Sequence, residues 1–460
     1  MFVTLLFILK ILGVSASKTD NPSEYLKSCL VPSFSSIEDF TVVNAKPTSA
    51  EEYGSIQQAI DNKEHFLFLS EGEFTIDEEI SIEENNELLI IIGESREKTI
   101  LTVTEKATSI FAIESSKNVI ICNLTLDSYK TSQKYSPTDE QDTEAVYMAS
   151  SISCLECESI LLRNLIIFGS KFSPAIQFTS MKQINYIDAY NGHNYFGYDN
   201  IIDRIHIETY DGFTTAIEFD LQKNGQISNN DIVGTNGGIN LFLNDNTECS
   251  FNQFTDVKVS SVEVKLPSRN ISLHNNKLTK IPNNGILVAP MEDYDDISYG
   301  EPEYSPPSER LQDYKAENIT IKNNFLHGSK FIGIEIAQTK NVIVTDNKIT
   351  EVINQGIFIT DSDGAVILNN YISGGSERET TSSGIYASGG ITNSNISNNS
   401  ILSGRKQSLK KAIIIDRDNS SFQNKVTMNL ISGRTIDKKI VDVDERSAIV
   451  QNNFFDLLSF

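Results

Sequence analysis

Tryptophan is absent from the 460 residues, so any stacking on a sugar ring has to come from Tyr or Phe. Basic residues are scarce beside acidic ones, 38 against 62, for a formal charge of −24. That balance argues against nucleic acid or an anionic membrane as partner, since both need a basic surface. It would repel a polyanionic substrate too, unless bound cations or a local basic strip offset the field. Cysteine occurs five times, an odd number that excludes a disulfide framework. Cys154 and Cys157 make a CxxC, but no second pair or His pair completes a zinc site. Small residues on a strand and its turn, with at most one local disulfide, is the reading they support.

Long apolar runs are missing as well. The first residues, MFVTLLFILKILGVSAS, are apolar but short and interrupted by Lys10, which excludes a membrane span. Val14-Ser15-Ala16 has the small-residue spacing of a signal-peptidase site, so residues 1–16 are expected to be a signal peptide and the mature protein to be secreted. Sequons at Asn123, Asn270, Asn318, Asn395, Asn398 and Asn419 would then accept N-glycans in a eukaryotic source.

What the chain does have is a repeat. A small residue, a β-branched one, any residue and another apolar one recur as Ala175-Ile-Gln-Phe178, Ala216-Ile-Glu-Phe219, Gly238-Ile-Asn-Leu241 and Gly285-Ile-Leu-Val288. The motif returns at Gly333, Gly356, Gly384 and Ala412, with start-to-start spacings such as 22 (216 to 238), 23 (333 to 356) and 28 (356 to 384). Between these segments lie Asn-rich turns flanked by alternating apolar residues: ISNNDI (227–232), ISLHNNKL (271–278), ITIKNNFL (319–326), VIVTDNKI (342–349), VILNNYI (366–372) and ISNNSI (396–401). Alternation of period two with Asn, Gly and Ser punctuation means short strands and tight turns. No helical stripe is long enough to supply crossovers, which excludes a doubly wound α/β sheet. Parallel strands at this spacing without helices require a coil that returns on itself, an all-β right-handed parallel β-helix. Stacked Asn pairs would bond up the coils as a ladder and tolerate the left-handed backbone of such turns.

Ser55-Ile-Gln-Gln-Ala-Ile-Asp61 reads as a short capping helix, followed by LFLSEGEF (67–74) and IIIGESREKTIL (90–101) as the first strands. This opening resembles that of the pectate-lyase-like β-helix superfamily, and pectin methylesterases in particular. With the Asn-turn repeats the resemblance spans roughly residues 50–430. It implies the fold and is weakly specific for activity, because the superfamily hosts lyases, hydrolases, esterases, epimerases, adhesins and tailspikes. The marker segments of the familiar activities are missing. Ile166-Ile-Phe-Gly-Ser170 replaces the aspartate segment of methylesterases, and only Gly192-His193-Asn194 is similar to the Gly-His-Gly of polygalacturonases. No Arg-x-Pro-x-x-Arg of pectate lyases occurs, and GHNYFGYD (192–199) shares only the composition of the Tyr-Gly-Phe-Asp-Pro-His stretch of mannuronan epimerases. The organisation expected is a lead segment (17–49), a β-helix (50–435) with insertions near 185–203 and 291–316, and a C-terminal coil and cap (436–460).

Register places a candidate site. In each repeat the residue between the two apolar positions, and the one after them, point outward. These pairs are Gln177/Thr179, Glu218/Asp220, Asn240/Phe242 and Glu263/Lys265, a polar run that later gives way to apolar and small residues. Glu218 and Glu263, two coils apart, would lie about 9–10 Å from one another, near the upper limit for an acid–base pair straddling a water. Alternatively Glu218 and Asp220 would hold Ca²⁺ while Lys265 abstracts a proton beside a uronate. The first insertion adds Tyr190, His193, Tyr195 and Tyr198, with Tyr190, Tyr195, Tyr198, Asn240 and Gln177 as substrate contacts and His193 as a proton donor or base. The function expected is a carbohydrate-active protein, a monomer, working on an extended uronate-containing polysaccharide as lyase, hydrolase or epimerase. The rival is a non-catalytic adhesin or surface protein that binds glycans.

Overall fold

The computed structural model describes Cys29 and residues 48–49, 55–104, 109–129, 150–169, 173–179, 197–209, 214–265, 267–290, 315–374, 382–403, 409, 411–415, 423–433, 441–443 and 448–456. Apart from two short two-stranded parallel pairs, Gly197–Tyr198 with Gln222–Lys223 and Ala316–Glu317 with Thr339–Lys340, the described strands fall into three long parallel sheets, in each of which they follow one another in chain order. Sheet I runs from Thr48–Ser49 and Phe66–Leu69 to Ala448–Gln451, sheet II from Gly72–Ile76 to Phe454–Asp456, and sheet III from Ile80–Glu83 to Val441–Val443. One coil therefore visits all three, as in Gln226–Ser228, Asp231–Val233 and Gly237–Phe242, before Glu248–Ser250 starts the next. This is the parallel β-helix that the repeat spacing requires. The helix Ile56–Asp61, capped by the Ser55 hydroxyl accepting from the Gln58 amide, buries Ile56 and Ala59 at the N-terminal end.

Inside, equivalent residues stack coil on coil, for example Ile202, Ile227, Cys249, Leu273, Ile321, Val344 and Ile367 in sheet I, all buried. Full burial of each such side chain contributes about 1.5–3 kcal/mol. The small residue that opens the repeat motif sits at the corner between sheets II and III. A Cβ on Gly333 would stand 2.6 Å from the Gly356 carbonyl and 2.7 Å from Ile349 Cγ2, and the same crowding holds at Gly285, Gly356 and Gly384. The corner has no room for more.

The corner between sheets I and II divides its two Asn between two tasks. The first takes the left-handed conformation, at Asn229 (φ 57), Asn275 (φ 57), Asn323 (φ 55) and Asn369 (φ 57), and Phe251, Asp346 or Met428 can replace it. The second is a rung: Asn230, Asn252, Asn276, Asn324, Asn347, Asn370, Asn399 and Asn429, all buried, and the half-buried Asn453 follow without interruption. Each carboxamide oxygen accepts from the backbone N–H and the side-chain amide of the rung before it, at 2.9–3.1 Å.

The corner between sheets III and I carries charge instead. Lys117, Glu158, Tyr198, Lys223, Asp245, Arg269, Glu317, Lys340 and Asp363 are bridged in sequence, so that sign alternates coil by coil apart from the tyrosine. Arg269 Nε lies 3.2 Å from Asp245 Oδ2, and Lys340 Nζ lies 3.9 Å from Glu317 Oε1.

The cysteines depart from expectation. Cys29 is bonded to Cys122, while Cys154, Cys157 and Cys249 are buried thiols. The local Cys154–Cys157 bridge does not form; both side chains are consumed by the core, where burial pushes the Cys154 thiol well up. Cys29 is packed with Phe66, Ile90, Ile92, Ile120 and Leu161 on the outer side of sheet I. No helix among the described residues is long and apolar enough to cross a membrane.

Candidate functional site

On the outer side of sheet III the register runs Gln177, Glu218, Asn240, Glu263, Leu287, Glu335, Phe358, Tyr386 in one column. Beside it runs Asp220, Phe242, Lys265, Ala289. The outward pairs read from the repeat are therefore neighbours on one face, and Glu218 and Glu263 are two coils apart.

Outward does not mean exposed. Gln177, Asn240 and Phe242 retain only 6–7% of their accessible surface. Gln177 Nε2 donates to Glu218 Oε2 at 2.9 Å. Burial raises the Glu218 carboxyl, while the Lys265 charge and the Gln177 hydrogen bond pull it back. Burial pushes Asp220 well above the usual carboxylate range and the neighbouring Glu218 charge adds to this, against Lys265 and a hydrogen bond with the Phe242 backbone. Two carboxyls on one strand, i and i+2, thus face a single ammonium from two coils away. Both carboxyls are raised by burial and both are pulled back by Lys265; Asp220 is raised further because the Glu218 charge adds to its burial.

Asp220 Oδ1, Asn240 Oδ1 and Asn284 Oδ1 are buried on this side without a hydrogen-bond partner among the described residues. Asn284 meanwhile donates to Glu335 Oε2 at 2.8 Å. Buried polar atoms left unpaired are costly and uncommon, about 1–3 kcal/mol each. Farther along the column the Phe358 and Tyr386 rings lie 5.4 Å apart at 51°. Phe358 stands three coils beyond Glu263, about 14–15 Å.

Of the expected site residues, Gln177, Glu218, Asp220, Asn240 and Lys265 come together. Glu263 occupies the expected register next to Asn240 and Leu287. Tyr198 lies elsewhere, at the corner between sheets III and I, where Gly197–Tyr198 pairs with Gln222–Lys223. Its bridge to Glu158 makes it part of the corner ladder. Tyr190, His193 and Tyr195 lie outside the described residues. The aromatic pair Phe358 and Tyr386 was not anticipated as part of the site, although both stood at outward positions of the repeat.

Calcium takes about six to eight oxygen donors. Glu218 and Asp220 offer two carboxyls that already face the Lys265 ammonium, and among the described residues no group of three or more His, Cys, Asp or Glu is arranged to hold a metal.

The family model described as "Periplasmic copper-binding protein (NosD)" matches residues 304–456. No curated protein sequence matches the chain. Among solved structures, the A-module of the mannuronan C-5 epimerase AlgE6 of Azotobacter vinelandii is 13% identical with a TM-score of 0.54, over 91% of this chain and 98% of that one. The periplasmic alginate epimerase AlgG is 12% identical, TM-score 0.52, over 85% and 77%. The pre-mature gene product 12 of bacteriophage phi29 is 12% identical, TM-score 0.59, over 89% of this chain and 55% of that one. At these identities the likeness is one of fold: the chain is a parallel β-helix.

Proposed function

We propose that the protein is an exported enzyme that modifies a uronate-containing polysaccharide by removing the proton at C5, as a lyase or an epimerase does. One observation carries the reading: two half-buried carboxyls with raised proton affinity and an ammonium, on an outward face, next to polar atoms that lack partners among the described residues. A polar ligand would complete it. The ligand chemistry follows from the groups. Lys265 and the protonated Asp220 receive a uronate carboxylate, the amides of Gln177 and Asn240 read its hydroxyls, and Glu218 takes the proton from C5. The electron pair released from the C5–H bond moves into the carboxyl group, where the ammonium and the acidic proton stabilise it. It then expels the C4 oxygen, which takes a proton from water as it leaves, or C5 takes a proton from a water molecule on the opposite face.

Phe358 and Tyr386 offer ring surface to a chain lying along the face, at the distance of a few sugars. Two of the similar structures are named as a mannuronan and an alginate epimerase, which agrees with this chemistry without establishing it. Export is supported by the apolar leader and by the Cys29–Cys122 bond, since structural disulfides belong to oxidising compartments. A second reading, a non-catalytic glycan-binding β-helix, is favoured by the absence of the familiar motif segments.

The test is a screen of purified protein on pectate, alginate, chondroitin and neutral glycans, with calcium and with EDTA. Products are read as unsaturated uronates by absorbance, as new reducing ends, and as epimers by proton NMR. Unsaturation or epimerisation supports the proposal. New reducing ends without unsaturation would move the assignment to hydrolysis by Glu218 and Glu263, and binding without product would establish the second reading. Activity abolished by EDTA and restored by calcium would return Glu218 and Asp220 to the role of metal ligands.

A further inference from the structure

The outer side of sheet II changes sign along its length. In register, one column reads His206, Asp231, Gln253, Lys277, Phe325, Lys348, Tyr371. From Lys277 onward cation and ring alternate coil by coil. Lys277, Lys348 and Tyr371 are exposed, and Phe325 is partly so. Lys348 Nζ lies 5.5 Å from the Phe325 ring centre and 6.0 Å from that of Tyr371, so the ammonium is held between two rings. The His327 ring lies parallel to Phe325, with centroids 6.1 Å apart. At the edge of this strip, Lys280 and Lys330 line a shallow cleft with His327, Asp256 and Glu351. Lys277, Lys280, Lys330 and Lys348 form no ion pair among the described residues, whereas His327 pairs with Glu351 at 3.5 Å.

Four unpaired lysines gathered with rings on one side of a chain of charge −24 are a local reversal of its field. We propose that this strip is a second glycan site, separate from the sheet III face, which holds a strand of acidic polysaccharide along the axis of the coil. Successive coils are about 4.8 Å apart, so the two column lysines stand about 9–10 Å from one another, and so do the two rings. That spacing suits a polymer with about one carboxylate per pair of sugars, whose apolar ring faces meet Phe325 and Tyr371. Nucleic acid fits less well: a duplex carries one charge per about 1.7 Å, and the rest of the molecule would repel it. A hold on the polymer away from the sheet III face would raise the local concentration of chain there by tethering.

The test uses the full protein carrying Lys265→Ala, so that the proposed site on the sheet III face is disabled, with and without Lys277→Glu/Lys348→Glu. Lys63→Glu/Lys425→Glu, two exposed lysines elsewhere, makes the same change in net charge. Binding to polygalacturonate and to hyaluronan fragments is measured by affinity electrophoresis, with dextran and oligothymidylate as comparison polymers. The Lys277/Lys348 pair is expected to lower affinity for an acidic glycan by at least about tenfold and to flatten its salt dependence, with the control pair close to the parent. Tyr371→Ala is expected to weaken binding without altering the salt dependence. Equal loss in both charge pairs, unchanged affinity in the Lys277/Lys348 pair, or equally tight binding of dextran or oligothymidylate would overturn the assignment. None of these outcomes bears on the chemistry at Glu218, Asp220 and Lys265.

Discussion

Asn324→Ala is the substitution that probes most sharply how the coils are held together. Asn324 Nδ2 donates to the Leu273 carbonyl at 2.9 Å and to Asn347 Oδ1 at 3.0 Å. Its Oδ1 accepts from the Asn276 backbone N–H at 2.9 Å and from Asn276 Nδ2 at 3.0 Å. Truncation strands one carbonyl and two N–H donors inside a corner where Asn324 is 1% exposed. At about 1–3 kcal/mol for each orphaned group, and allowing for relaxation, the loss is about 3–6 kcal/mol. Asn323, its neighbour, is exposed at φ 55 and supplies a backbone conformation that glycine adopts freely, so Asn323→Gly should change stability by no more than about 0.5 kcal/mol. Equilibrium urea unfolding followed by far-ultraviolet circular dichroism measures both. A cost below about 1 kcal/mol for Asn324→Ala, or equal costs for the two, would refute the division of labour between the paired asparagines.

Other substitutions probe the packing and the site. Gly333→Val should destabilise by about 1–3 kcal/mol, because its side chain meets the Gly356 carbonyl; an unfolding midpoint equal to the parent would contradict the crowded corner. Cys122→Ser removes a bond that closes 93 residues and should cost about 2–5 kcal/mol, with the parent falling to the same level under reductant. Asp220 and Glu218 bind protons more tightly when folded than when unfolded, so their contribution to stability is full at acid pH. It declines as pH rises from the ordinary carboxylate value, about 4, through the raised folded one. Asp220→Asn should therefore gain in melting temperature over the parent across that window while losing about 10²- to 10⁴-fold in activity. A melting difference that does not change with pH would sink the assignment of the proton to Asp220.

The fold was legible because its physics repeats. A small residue, two inward apolar ones and an Asn pair had to recur at coil length, and each recurrence strengthened the reading. The roles within the Asn pair were not separable by pattern at Asn323 and Asn324. They become so only where Phe251, Asp346 and Met428 replace the first member while Asn252, Asn347 and Asn429 keep the second, and where Leu124, Leu165 and Ile205 fill the second position in the coils before the ladder starts. The alternating ladder from Lys117 to Asp363 was invisible because its partners are a whole coil apart in sequence, with unequal spacings. Cys29 and Cys122 are hidden in the same way by their 93-residue separation.

The site was legible as far as register reaches. Glu218, Asp220, Asn240 and Lys265 share a face because period two dictates it. That Asn240 is buried and Glu218, Asp220 and Lys265 half-buried was not legible, since alternation marks a residue as outward and says nothing of what lies over it. Phe242, an apolar side chain at an outward position, was the one local signal of cover. Tyr198 shows the opposite limit: composition grouped it with the aromatic insertion, but backbone pairing with Lys223 holds it at a corner.

The most direct test of the central claim is proton exchange at C5. Polymannuronate and polygalacturonate are incubated with the protein in D₂O, and the C5 position is followed by NMR. Loss of the C5 proton signal, as deuterium incorporation or as a C4–C5 double bond, is predicted for the parent, with loss of that activity in Glu218→Gln and Lys265→Ala. Retention of the C5 proton in every uronate polymer that the parent binds or cleaves would contradict the account.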